Sequence, residues 1–256
     1  MVNIAHIDSP LNAARYIEQA IPIINDCHAR DKAVILVGGS GFYLQALLNG
    51  MYNSETPSIE IQTKSELLYK QNGIKPFRDI LRVSDLKSFE RYHENDHYRN
   101  IRAYEHYKAT NSPISAEKER ADKNNPYDFS VNRLKDYEII HIYLDLPKDE
   151  HWEIIRKRTA QMIHDGLVEE VSKLLENGFT GNEKPLSSIG YKETIQFING
   201  EFSTKEDYIE RIAISTRQLA KSQRTFFNKV TPKEAFHPLK DKNDIVSLVI
   251  SKLTSN

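Results

Sequence analysis

Five apolar residues in a row, Ala33-Val34-Ile35-Leu36-Val37, run directly into Gly38-Gly39-Ser40-Gly41. An unbroken apolar run of this length predicts a strand covered on both faces, the setting of an interior strand in a parallel sheet. Behind it, Phe42 to Leu48 predicts a helix that stops at Asn49-Gly50. Between the two, glycine lets the backbone turn sharply and leaves amide N–H groups free to face an anion. Ser40 adds a hydroxyl at the helix start, where free amides and the helix dipole favour phosphate. Taken alone, a Gly-Gly-x-Gly segment is as often an ordinary tight strand-to-helix turn.

The surrounding pattern is α/β with a helical interruption. Residues 13–29 carry Ile17, Ile21 and Ile24 at helical spacing and lead into the 33–37 run. From about Ser54 to Leu134 the periodicity is only helical, in 65–71, 74–82 and 99–109, and the polar stretch 116–125 reads as a mobile loop. Tyr137 to Leu146 gives a second strand-like run, ended by Pro147. Helices over 149–163, 165–176, about 204–228 and 244–253 complete the chain, and Thr204 and Asp207 have capping-box spacing. The expected organisation is an α/β core from residues 1–53 and 135–256, with a helical insertion at 54–134. Its 256 residues, 39% of them hydrophobic, suffice for that.

Composition removes several function classes. Cys27 is the only cysteine, which excludes a disulfide framework and a cysteine-built metal site and points to a reducing cytoplasm. Ile7-Asp8-Ser9-Pro10 interrupts any signal-peptide core, and the longest apolar runs fall far short of the roughly 20 residues that span a bilayer. No membrane partner is expected. The net charge of −1 argues against a wholly basic nucleic-acid coat. Locally the balance differs: Arg211 through Lys233 holds six Lys or Arg and no Asp or Glu. Arg217, Lys221 and Arg224 follow i, i+4, i+7 spacing, and Arg99 and Arg102 lie three apart with His106 a turn beyond. A solvated helix face is the commoner reading of such stripes.

Four separated segments narrow the choice. Val37-Gly38-Gly39-Ser40-Gly41-Phe42-Tyr43 resembles the Val-Gly-Gly-Thr-Gly-Leu-Tyr turn of the tRNA dimethylallyltransferases (tRNA isopentenyltransferases), with Ser40 in place of Thr. His93-Glu94-Asn95-Asp96 with Arg99, Arg102, Ala103 and Glu105 resembles that family's His-Pro-Asn-Asp…Arg-x-x-Arg-Ala-Leu-Glu segment. Arg158, Met162 and Gly166-Leu167…Glu170-Val171 resemble its Arg-Val-x-x-Met…Gly-Leu-x-x-Glu-Val helix pair. Ile189-Gly190-Tyr191-Lys192-Glu193 and Thr216-Arg217-Gln218-Leu219-Ala220-Lys221-Ser222-Gln223 resemble its last two signatures, Ser222 replacing an arginine. The family opens with a Gly-x-x-x-x-Gly-Lys-[Ser/Thr] phosphate loop and an Asp-Ser-x-Gln-x-Tyr segment. No glycine here is followed by lysine, and residues 3–37 are similar to the family's third structural unit. The expected fold is thus a phosphate-loop NTPase-like parallel-sheet core, N-terminally truncated, with a mainly helical insertion.

The resemblance implies transfer of a dimethylallyl group from dimethylallyl diphosphate to the exocyclic amine of the adenosine 3′ of a tRNA anticodon. It places Arg158 on the diphosphate, Ser40 and the amides of Gly39 and Gly41 near base and diphosphate, and Gln45 as a base contact. Tyr98, Arg99 and Arg102 would meet the tRNA backbone, as would Arg217, Lys221 and Arg224. Ser188, Gly190, Tyr191 and Lys192 would lie beside the anticodon loop. Mg²⁺ is the family's cofactor, but its usual hydroxyl ligand sits in the phosphate loop, so no metal ligand is assigned. The family's general base belongs to the Asp-Ser segment, and Asp8 is read as structural. A monomer is expected that is poorly stable, prone to aggregate through an open sheet edge, and inactive in transfer by these 256 residues alone. Two other readings stay open: a non-catalytic RNA-binding remnant, and an enzyme that prenylates free adenine nucleotides.

Overall fold

The computed structural model describes residues 4–51, 57–121 and 125–254. They fall into two compact units, Met1–Leu48 with Tyr127–Asn256, and Asn49–Pro126. The expected boundary at 53/54 lies outside the described residues.

The first unit begins with α1 (Ala13–Ala29), whose start is capped by Asn12, its side chain accepting from the Arg15 amide at 2.9 Å. After the glycine turn comes α2 (Gly41–Asn49). The two helices share an apolar seam in which Ala13 and Ile17 meet Ala46, and Ala20 and Ile24 meet Leu47. Tyr43 locks the seam by donating its hydroxyl to the Leu11 carbonyl at 2.9 Å.

The second unit is α3 (Ile59–Asn72), α4 (Lys75–Ser84), α5 (Leu86–Arg91), α6 (His97–Thr110) and α7 (Ile114–Ala121). Leu81, Tyr92, Ala103 and Ile114 form its core, and Phe77, fully buried, stacks edge-on against Tyr69 and Tyr104. Arg78 crosses this core, donating to the carbonyls of Phe89 and Tyr92 and to Asn100 while its guanidinium lies 4.3 Å over the Phe89 ring. Helix α7 occupies most of the stretch expected to be a mobile loop. Its polar sequence hides one apolar anchor, Ile114, which is 1% exposed, and Lys118 bonds the Tyr92 hydroxyl.

The chain then returns to the first unit with β1 (Ile142–Leu144), α8 (Lys148–His164), α9 (Leu167–Glu176), a 3₁₀ turn at Lys184–Ser187, α10 (Tyr191–Ile198), α11 (Lys205–Phe227), β2 (Glu234–Phe236) and α12 (Lys242–Thr254). Thr204 caps α11 as the sequence suggests, accepting from the Asp207 amide at 3.0 Å. Helices α8 and α11 run antiparallel. Ile163 packs on Tyr208 and Ile212 at one end, and at the other Arg224 reaches the Leu146 carbonyl at 2.6 Å. Leu48, Phe129, Phe227 and Val230 form the adjoining core, with Phe226 and Tyr143 against it.

The expected parallel sheet is largely absent among the described residues. Only β1 and β2 pair, in parallel, with Ile142 opposite Glu234 and Leu144 opposite Phe236. Of the run 137–146, three residues become strand; its first residue, Tyr137, instead bonds Asn25 of α1 at 2.7 Å. The run 33–37 forms no strand, and Ile35 and Val37 are 75% and 93% exposed. Its composition suits a buried strand, but burial requires paired neighbours on each side and helices over each face. No described strand pairs with it. The result is a mostly helical α/β architecture with a small parallel sheet.

Two features of this packing are testable. Asp85, 3% exposed, caps α5 and accepts from the amides of Ser88 and Ser115. Burial opposes its charge, yet these hydrogen bonds outweigh burial and hold its carboxyl below the usual range. Asp85→Ala is expected to cost about 1–2 kcal/mol at neutral pH. A carboxyl that ionises more readily when folded stabilises above the ordinary aspartate pKa of about 4, and this is lost as pH falls further. The gap between wild-type and variant melting temperatures should therefore narrow below pH ~4. Second, a Cβ at Gly41 would stand 2.3 Å from the Phe226 ring, whereas one at Gly39 would meet only the movable amide of Gln223, also at 2.3 Å. Gly41→Ala should cost about 1–3 kcal/mol, and Gly39→Ala clearly less, by thermal melts.

Candidate functional site

The glycine turn stands against the C-terminal part of α11. Gly39 lies under the Gln223 side chain and Gly41 under the Phe226 ring, so both positions exclude any side chain without rearrangement. This is a steric reason for two of the three glycines. Ser40 between them is exposed at the start of α2, and Gln45 is half-buried a turn further on. The turn thus presents a hydroxyl and a helix N-terminus beside a carboxamide, groups suited to an anion or a base edge. Gln223 carries no role in the sequence reading, although it ends the Thr216–Gln223 segment; that position was the available signal.

Arg158 is exposed in the middle of α8. The antiparallel register, set by Arg224 at Leu146 and Arg156 3.9 Å from Glu210, puts it about 18 Å of helix away from the level of Gln223. The structure does not bring it to the turn.

The stripe on α11 divides. Arg217 and Lys221 are exposed, whereas Arg224 turns inward. The Arg224 side chain, 21% exposed, donates to the Leu146 carbonyl and lies 3.8 Å from Asp145. It therefore holds α11 to the segment before α8 instead of continuing the stripe, which corrects the i, i+4, i+7 expectation. A helical spacing of seven returns to nearly the same face, but that face meets protein at its end. Arg217 lies over Trp152 of α8, its guanidinium 4.8 Å from the ring centroid. Trp152 went unread in the sequence, though it is the only tryptophan.

The Ser188–Glu193 turn is built for rigidity. Gly190 has φ of 96°, a conformation favouring glycine, and donates its amide to buried Glu193 at 2.8 Å. Thr194 donates to the Gly190 carbonyl or shares its hydroxyl with Tyr208, both at 2.6 Å. Ser188 gives its hydroxyl to the Pro185 carbonyl, and Tyr191 gives its own to Glu170 at 2.5 Å. That bond, with burial and the Glu170 charge, pushes the Tyr191 phenol up to about 12. Lys192 and Ser188 are exposed, and Lys192 lines a cleft of about 310 Å³ with Arg211 and Phe202.

In the helical unit, the His93–Asp96 segment forms the start of α6. Asp96 caps it through the Arg99 amide and pairs with the Arg99 side chain, while Asn100 holds the His93 carbonyl. Tyr98 and Arg99 are exposed, Tyr98 by 73%. Arg102 is half-buried beside Glu105, and His106 is 1% exposed. Burial pushes the Glu105 carboxyl up, against the opposing pull of the Arg102 charge and a bond to Ser65. Arg99 and Arg102 therefore do not form one exposed basic pair, and His106 belongs to the interior. On a helix buried along one side, a step of three residues can carry a side chain from solvent to core.

Among the described residues no group of three or more His, Cys, Asp or Glu could hold a metal ion. No helix among them is long and apolar enough to cross a membrane.

The chain matches the IPP transferase family over residues 1–230. It is 34% identical over 229 residues to tRNA dimethylallyltransferase 2 of Geotalea uraniireducens, covering 90% of this chain and 71% of that protein. It is also 34% identical to the tRNA dimethylallyltransferase of Caldanaerobacter subterraneus, over 89% of this chain and 70% of that one. Among solved structures, the tRNA isopentenylpyrophosphate transferase of Bacillus halodurans superposes with a TM-score of 0.63 at 25% identity, over 99% of this chain and 77% of that one. A eukaryotic dimethylallyltransferase solved acting on tRNA shares the fold, with a TM-score of 0.70 at 21% identity over 96% of this chain and 64% of that one. This chain is a member of the IPP transferase family, the prenyltransferases to which these tRNA dimethylallyltransferases belong.

Proposed function

We propose that this chain serves tRNA modification, the transfer of a dimethylallyl group from dimethylallyl diphosphate to the exocyclic amine of the adenosine 3′ of the anticodon. The observation that carries this reading is the family match over residues 1–230. In the reaction the allylic C–O bond to diphosphate breaks, a C–N bond forms, and the amine loses a proton. The growing charge on the leaving diphosphate is the main electrostatic demand. The amides of Gly39 and Gly41, the Ser40 hydroxyl and the start of α2 would meet that charge or the target base, with Gln45 at the base edge. Arg158 would join the diphosphate only if the ligand reaches along α8, where its guanidinium could grip two oxygens. The finer fold reading follows from the same turn: the first unit is proposed as a phosphate-loop NTPase-type core in which the 33–37 run leads into an anion-binding helix start.

The RNA side is better supplied. Arg217 and Lys221 on α11 would contact phosphates, as would Tyr98 and Arg99 on α6, and Lys192 would face the anticodon loop from the rigid 188–193 turn. The helical unit, Asn49–Pro126 where 54–134 is the expectation, is proposed to contact tRNA, the protein to act as a monomer, and its setting to be the cytoplasm. These 256 residues contain neither a Gly-Lys phosphate loop nor an Asp-Ser-x-Gln-x-Tyr segment, so by themselves they are expected to bind the anticodon stem-loop without transfer. Turnover of dimethylallyl diphosphate by them would overturn that expectation, and label appearing in adenosine monophosphate would favour the nucleotide-prenylating reading.

The binding claim separates neighbours on one helix. Arg217→Ala and Lys221→Ala should each weaken binding to an anticodon stem-loop and lower the log–log salt slope by about 0.7–0.9. Arg224→Ala should leave that slope unchanged while costing about 1–2 kcal/mol of stability, a fall of roughly 2–8 °C in melting temperature. Equal effects of all three on the slope, or equal affinity for an unrelated hairpin, would count against it.

A further inference from the structure

We propose that Trp152 is a positioning residue for RNA binding, holding Arg217 flat as a preorganised phosphate clamp; this rests on Arg217 belonging to the RNA-binding stripe. Trp152 sits half-buried in the first turns of α8, facing α11. Two guanidinium groups approach its ring, Arg217 at 4.8 Å from the centroid and Arg156 at 5.9 Å. They are not equivalent. Arg156 also lies 3.9 Å from Glu210, so its charge has a carboxylate partner. For Arg217 no carboxylate lies within ion-pair distance among the described residues, and no acid occurs on its own helix from Arg211 onward.

Arg217 thus has its guanidinium over the indole while its side chain remains exposed to solvent. Stacking on an aromatic face restrains a long flexible side chain without consuming its donors, and the planar fork matches two phosphate oxygens. The cost of fixing that side chain is then met before RNA arrives, which lowers the cost of binding. Lys221, one turn further on the same exposed face, extends the track for a second phosphate. The arrangement suits a polynucleotide backbone, whose phosphates repeat, better than a single nucleotide.

The test uses the 256-residue chain and an anticodon stem-loop RNA. Trp152→Leu should weaken binding about three- to tenfold, and Trp152→Phe, which keeps an aromatic face, should restore most of it. In an Arg217→Ala background, Trp152→Leu should add no further loss. Because Trp152 is the only tryptophan, its emission in the wild type should shift with the same midpoint as binding. An unchanged affinity of Trp152→Leu, an equal loss in the Arg217→Ala background, or unshifted emission at saturating RNA would overturn the proposal. Thermal melts of both tryptophan variants separate a loss of fold from a loss of clamp, since only the clamp predicts rescue by phenylalanine at equal stability. If Arg217→Ala itself leaves binding unchanged, the failure lies in the RNA-binding stripe and not in the tryptophan.

Discussion

The antiparallel contact between α8 and α11 organises the first unit. At one end, apolar packing of Ile163 against Tyr208 and Ile212 fixes the helix pair beside α9 and α10. At the other, Arg224 fastens α11 to the Leu146 carbonyl, where Phe227 joins the core beneath the small sheet. The candidate site residues of the first unit hang on this pair. The glycine turn leans on Gln223 and Phe226, the 188–193 turn is tied through Thr194 to Tyr208, and Arg217 rests on Trp152. A part-buried charge-assisted hydrogen bond is directional where apolar packing is not, so Arg224 sets register while the apolar contacts of Ile163, Tyr208 and Ile212 supply cohesion.

The helical unit shows how motif residues divide between holding and meeting. Asp96 and Asn100 spend their polar atoms on the backbone at the start of α6, and Asp85 does the same for α5. Tyr98 and Arg99 are left outside. The same division recurs in the 188–193 turn, where Gly190, Glu193 and Thr194 build the frame and Lys192 projects from it. Family signatures of this kind contain more scaffold than contact, and the scaffold fixes where the contacts stand.

Helices were legible because their information is local. Thr204 caps α11 where its capping-box spacing places it, and the span of α11 follows from its sequence to within a residue or so. Strands were not, because a strand exists only with a partner. Residues 33–37 satisfy every local criterion for a buried strand yet lie exposed, since no described strand pairs with them. The α7 segment fails the opposite way: its polarity suggested a loop, and one residue, Ile114, recruits it to the core. In the site, charge spacing identified the stripe on α11, but spacing cannot tell which member turns inward. Arg224 is captured by Leu146, distant in sequence, and Arg102 is half-buried beside Glu105 on its own helix. Trp152 was invisible for a related reason, because its value comes from what α11 lays upon it.

Helix α11 is 23 residues long, roughly 34 Å of unbroken rod, and Arg217 and Gln223 are about 9 Å apart along it. It therefore works as a ruler between the stripe that would hold RNA and the turn where the target base would lie. A ruler of this kind tolerates changes of lettering but not of length. One residue inserted between Arg217 and Gln223 moves the two marks only about 1.5 Å apart, yet rotates them by about 100° relative to each other. Arg217 could then lie on Trp152, or Gln223 over Gly39, but not both. Substitutions on the exposed face other than at Arg217 and Lys221 should thus accumulate in evolution, while insertions and deletions in this span should not.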